Sequence, residues 1–231
     1  MHQKVNQIKK NEGPPLVIKK ILTKGQIKEI QSLYKILPVE IDNKRQKVVK
    51  KKWITSFYPN LQKEIIKKLK KRLGNFRLDN PKTKNSLDSF GLFQESYRPV
   101  GLHVDTGFDF KKIIFKQFLL PLSPYGETVI FKNRFYGCST TFSIDPKELK
   151  AKGYNKRSSE HLKIYKSKDF NKMKHKKYLK HENIKNLKGL KVDMVYKWKI
   201  GEILIWDRTQ LHCSSSNIKN KKIGFTVLTR R

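Results

Sequence analysis

The chain has 231 residues, with 53 lysines and arginines against 19 aspartates and glutamates, for a formal net charge of +34. That length suits one sizeable core, and a hydrophobic share of 37% with a mean hydropathy of -0.68 places it among globular rather than disordered chains. No apolar run approaches the roughly 18 residues of a membrane span, and the charged N-terminus lacks the apolar core of a secretory signal. Two cysteines, Cys138 and Cys213, cannot build a disulfide framework, so free thiols and a cytoplasmic location are expected. Lysines outnumber arginines 44 to nine, whereas phosphate and base recognition favours the arginine fork. With Asn and Ile also abundant, the charge reads as coding bias plus a solvated surface, and nucleic acid is not the favoured partner.

Residues 1–15 read as a flexible tail ending at Pro14-Pro15, ahead of a single domain over 16–231. Thr23 is a plausible N-cap, and Ile27, Ile30, Leu33, Tyr34 and Leu37 fall at helical spacing before Pro38 ends the run. A second helix starts near Pro59 or Asn60, carries Leu61, Ile65, Ile66, Leu69 and Leu73, and stops at Gly74. The helices thus occupy about 23–74. From Phe90 the period changes to that of strands, in "FGLFQESYRPVGLHVD", "KIIFKQFLLPLS", "GETVIFKN" and "CSTTFSI". A Lys-rich insertion over about 145–190 interrupts them, as a lid or a solvated loop, with His161, His175 and His181 expected at its surface. Strand character returns in "MVYKWKIGEILIWD" and "KKIGFTVLTRR". Helices followed by many short strands, with one late excursion, suit a mainly β jelly roll with N-terminal helices.

One stretch carries chemistry. In "GLHVDTGFDF" the extended chain points His103 and Asp105 to the same face. Later, "KIGEILIWDRTQLHCSSSN" sets His212 just after a strand and a tight turn at residues 207–209. Two imidazoles and one carboxylate, with positions left open, form the facial triad of non-haem Fe(II) oxygenases. Thr106-Gly107 can turn the chain away after Asp105, and Trp206 reads as core. Asn133 and Arg134 either line the mouth of a pocket or make a turn. Tyr97 and Arg98 either border it or face outward.

From about Phe90 to Arg231 the chain resembles the double-stranded β-helix core of the Fe(II)/2-oxoglutarate-dependent dioxygenases. "HVD", "GEILIWDRTQLH" and a basic residue ten positions beyond His212, Lys222 in "KKIGFTV", stand in that family's order, and "FLLPLSPYGETVIF" resembles its middle strands. The resemblance implies that His103, Asp105 and His212 hold Fe(II) and act catalytically. It further implies that 2-oxoglutarate and O2 are co-substrates, and that succinate and CO2 form while a small-molecule or peptidyl substrate is hydroxylated; the surplus of lysines weakly favours an anionic one. The distal carboxylate of 2-oxoglutarate then falls to Lys222 or, from a middle strand, to Lys116, with Tyr97 a further cofactor-side candidate. Lys222 stands where the family usually has Arg, and Gly224 where a Ser or Thr often supports it. A basic jelly-roll module that binds nucleic acid or another polyanion without catalysis is the alternative, and a cupin-like metalloenzyme a weaker one.

Overall fold

In the computed structural model, which describes residues 2–44, 47–107, 112–156 and 169–231, two β-sheets face each other and two helices pack on one of them. The chain starts with α1 (His2–Lys10) and β1 (Leu16–Ile18) and reaches α2 (Lys24–Ile36). Thr23 caps α2 through its hydroxyl, which accepts from the Gln26 amide, while the Gln26 side chain accepts from the Thr23 amide. Two strands follow, β2 (Ile41–Asn43) and β3 (Val48–Ile54), and then α3 (Pro59–Leu73). Pro59 opens α3 where its missing amide costs nothing, and Gly74 closes it at φ 73°, a conformation glycine adopts without strain. Neither β2 nor β3 stands out in the sequence, because lysines 50–52 interrupt the apolar alternation and only Val48 and Trp53 of β3 are buried.

Beyond β4 (Arg77–Leu78) come β5 (Ser89–Ser96), β6 (His103–Val104), β7 (Ile114–Pro121), β8 (Glu127–Arg134) and β9 (Thr140–Ser143). The short α4 (Pro146–Leu149), β10 (Tyr154–Lys156), α5 (Lys172–Tyr178) and a 3-10 turn at Ile184–Leu187 lead to β11 (Val192–Lys197). The chain ends in β12 (Ile203–Asp207), β13 (Gln210–Ser214) and β14 (Lys222–Arg230). One sheet runs β1-β12-β7-β14-β5-β3-β2, with β4 also on β14, and the other β10-β9-β6-β13-β8-β11. Strands far apart in sequence are neighbours in both, and all pairs are antiparallel except β9 with β10, which gives the double-stranded β-helix.

The strand period decides what each face meets. Along β14, Phe225 and Val227 point under the helices and join Trp53, Phe90 and Phe93. Ile27, Ile30 and Leu33 of α2 and Leu61, Ile65 and Leu69 of α3 complete that core, each side chain contributing roughly 1.5–3 kcal/mol by burial. The alternate residues Lys222, Gly224 and Thr226 face the other sheet and line the space between them.

Two expectations are corrected. Residues 1–15 are not a flexible tail: α1 buries Ile8 against Ile114, and Glu12 accepts from the hydroxyls of Tyr136 and Thr209 and pairs with Arg134 at 3.2 Å. The Lys-rich stretch is not a loose excursion in its described part. Phe170, Leu179, Leu187 and Leu190 pack on the outer face of the second sheet against Leu102, Val129, Phe131 and Leu211. Residues 157–168, His161 among them, lie outside the described residues. No helix among the described residues is long and apolar enough to cross a membrane.

Candidate metal centre

β13 lies between β6 and β8, and the register places His212 opposite His103 on one side and Ile130 on the other. The two imidazole rings come within 4.2 Å, centroid to centroid. Asp105 follows directly after β6, and its Oδ2 lies 3.3 Å from His212 Nε2 and 3.8 Å from His103 Nε2. One ligand atom from each of the three residues lies within 4.8 Å of the others, the spacing a single ion requires.

The surroundings fix which nitrogen faces inward. His103 Nδ1 is 2.7 Å from the Gly101 carbonyl and His212 Nδ1 is 3.0 Å from the Gln210 carbonyl. A carbonyl accepts only, so each Nδ1 carries the proton and each Nε2 presents its lone pair toward Asp105. The indole N–H of Trp206 is farther from His212 Nδ1, at 3.4 Å, and its ring packs edge-on against the imidazole. Burial and the neighbouring His212 push the His103 pKa down to about 4. Burial alone would raise the Asp105 carboxyl, but His212, His103 and the Gln117 amide outweigh it and hold the group well below the usual carboxylate range. At neutral pH His103 is therefore a neutral imidazole and Asp105 a carboxylate, two donors open to a divalent cation without first losing protons.

Arg208 secures this geometry from the turn between β12 and β13. At 1% exposure, its Nε donates to the Asp105 carbonyl at 2.8 Å, and Nη1 donates to Asp79 Oδ2 at 2.7 Å and the Thr229 carbonyl at 2.9 Å. Gly107, at φ 103°, then turns the chain away and exchanges two 2.7 Å hydrogen bonds with Ser139. The sequence reading missed Arg208, although it sits four residues before His212 inside the quoted motif.

A cavity of about 1440 Å³ opens between the sheets and takes in His103, Asp105, His212 and Lys222. Lys222 is 4% exposed, its ammonium donates to Ser214 Oγ, and it lies 5.1 Å from the centre of the Trp198 ring. No carboxylate pairs with it among the described residues, and burial lowers its pKa to about 8. Lys116, the other cation considered, ion-pairs with Asp207 and does not line the cavity, which removes it as a cofactor ligand. Tyr97 is also removed: it is 48% exposed outside the cavity, with its hydroxyl donating to Glu95.

Arg98 reaches the cavity lining, whereas Arg134 pairs with Asp207 at 2.6 Å, and buried Asn133 ties the Gly189 carbonyl to the Lys191 amide. His181 is exposed as a residue, as expected of it, while its side chain, 18% exposed, also lines the cavity. Trp198, just past β11, was not anticipated at the site. Its indole donates to Thr128 at 2.9 Å, and a Cβ at position 224 would lie 3.0 Å from its ring and 2.8 Å from Leu119. A side chain at 224, where the related pattern carries Ser or Thr, would therefore displace the end of Leu119 and press on Trp198.

No protein-family model and no curated protein matches the chain in sequence. Solved structures share its fold. A 2OG-Fe(II) oxygenase family oxidoreductase from Burkholderia pseudomallei superposes at a TM-score of 0.51, with 7% identity over 98% of this chain and 89% of that one. HygX from Streptomyces hygroscopicus, with nickel, 2-oxoglutarate and hygromycin B bound, gives 0.52 and 10% identity over 100% and 87%. The α-ketoglutarate-dependent epimerase SnoN from nogalamycin biosynthesis gives 0.53 and 8% identity over 99% and 82%. At such identities the likeness establishes the double-stranded β-helix fold.

Proposed function

We propose that this chain is an Fe(II)- and 2-oxoglutarate-dependent oxygenase that hydroxylates a small-molecule or peptidyl substrate. The observation that carries the reading is one cavity holding both a His2-carboxylate cluster and a buried lysine that no carboxylate pairs with among the described residues. The residues fit the groups. His103, Asp105 and His212 supply the donor set of a facial triad, and Lys222 supplies the charge for a distal carboxylate. Gln117 Oε1 is buried in the same cavity with no hydrogen-bond partner, an acceptor left for a donor that a ligand or water brings.

Bound there, Fe(II), 2-oxoglutarate and O2 supply an oxidant for an unactivated C–H bond, with succinate and CO2 as co-products. The chain's own residues do the positioning. The Gly101 and Gln210 carbonyls hold the imidazole tautomers, and Arg208 fixes the backbone of Asp105. Trp198 and Trp206 wall the cavity against water. Free thiols at Cys138 and Cys213 accord with the cytoplasm, where we place the enzyme.

The test mixes metal-free protein anaerobically with Fe(II) and 2-oxoglutarate, reads the visible charge-transfer absorbance, then admits O2 and measures succinate. A band and succinate formation that both vanish in His212→Ala support the reading. A folded, iron-replete protein giving neither overturns it.

A further inference from the structure

Charge around the cavity is unevenly matched. Among the described residues its six lining carboxylates are all engaged within the protein. Asp79 takes Lys112 and Arg208, Asp88 takes Lys82, and Asp105 belongs to the metal cluster. Asp145 accepts from the Lys147 amide, Glu148 from the Ser143 hydroxyl, and Glu182 from the Leu102 amide and Asn186. Arg98 and Lys152 sit exposed at the mouth, where water solvates them. Lys50 is different: it is half-buried on the inward face of β3, and no carboxylate pairs with it among the described residues.

The sheet register separates Lys50 from the cation already assigned. Val48, Ser96 and Lys222 form one cross-strand row, and Lys50, Gln94 and Gly224 the next. Two strand spacings across and two residues along put the Lys50 and Lys222 backbones roughly 12 Å apart. With their backbones that far apart, the two cations have room to meet two different anions. Lys50 lines the same cavity as His103, Asp105 and His212.

We propose that the oxidised substrate carries an anionic group, a carboxylate or a phosphate, and that Lys50 holds it on the cavity wall beside the metal centre. The inference rests on the oxygenase reading and supplies its substrate class. Anchoring one end of the substrate at β3 fixes which C–H bond reaches the metal, an orientation a featureless wall cannot impose. A half-buried ammonium is also relieved of an uncompensated charge when the substrate binds.

Two matched probe pairs test this in anaerobic protein loaded with Fe(II) and 2-oxoglutarate. N-acetyl-aspartate amide against N-acetyl-asparagine amide examines a carboxylate, and N-acetyl-phosphoserine amide against N-acetyl-serine amide a phosphate, each titrated calorimetrically. At least one anionic probe is expected to bind about tenfold or more tighter than its neutral partner. That preference should be lost in Lys50→Gln and largely restored in Lys50→Arg. The absence of any anion preference, or a preference that survives Lys50→Gln, overturns the inference. So does a loss of 2-oxoglutarate affinity in Lys50→Gln matching its loss of probe affinity, since Lys50 then belongs to the co-substrate site. A missing charge-transfer band in the wild type, seen before any probe is added, instead overturns the oxygenase reading itself.

Discussion

Burying Lys222 away from any carboxylate strains the fold and equips the site. An interior charge without a counter-charge destabilises the apoprotein, and the same burial lowers the Lys222 pKa to about 8. Lys222→Met is therefore expected to stabilise the ligand-free protein by something on the order of 1–3 kcal/mol in urea titrations. The same variant should raise the KM for 2-oxoglutarate about tenfold or more. The pH dependence has a definite sign. The ammonium is charged below about pH 8 and neutral above it, so 2-oxoglutarate affinity should fall as pH rises through that value. Lys222→Arg should move the fall to higher pH, and a flat profile for the wild type would contradict the assignment. At the metal cluster, His103→Ala or Asp105→Ala should abolish succinate formation while far-UV dichroism stays native. Turnover near the wild-type level in either would remove these residues from the site.

At the level of elements, the N-terminal segment meets the turn that precedes His212. Gly13 donates to Asp207 at 2.9 Å, Arg134 bridges Asp207 and Glu12, and Glu12 accepts from Thr209. Deleting residues 1–15 uncovers Ile8's partner Ile114 and leaves Arg134 and Tyr136 short of partners. The expected loss is about 2–4 kcal/mol by chemical denaturation, against less than about 0.5 kcal/mol for removing a frayed tail. These anchors were hard to see in the sequence because Glu12 and Gly13 sit in a polar stretch, and their partners come from more than a hundred residues away. The Lys-rich stretch hid its role similarly. Four apolar residues spread over some twenty positions carry no helical or strand period, yet each finds the outer face of the second sheet. By contrast, α2 and α3 were legible to within a residue, since Thr23, Pro59 and Gly74 are local signals that act through neighbouring amides.

For the whole molecule, a charge of +34 reaches solution at long range, beyond the few cations that line the cavity. It should produce weak, sequence-independent binding to single-stranded DNA that disappears as salt is raised to about 0.5 M. Succinate formation is expected to persist in the same buffer, because His212 and Lys222 are screened from solvent ions by burial. DNA binding that resists such salt would instead favour the polyanion-binding alternative.

The sequence by itself determined the chemistry of the metal cluster. A period-two strand must bring His103 and Asp105 to one face, and the motif ending in His212 supplies the third donor. It also determined the helix boundaries and the jelly-roll character of the second half. Only the tertiary structure decided which lysine is free. Lys116 and Lys222 look alike in sequence, but β12 delivers Asp207 to Lys116 while β13 offers Lys222 nothing more than the Ser214 hydroxyl. A cation's availability depends on a counter-charge brought from a distant strand, and no local pattern of residues records that encounter.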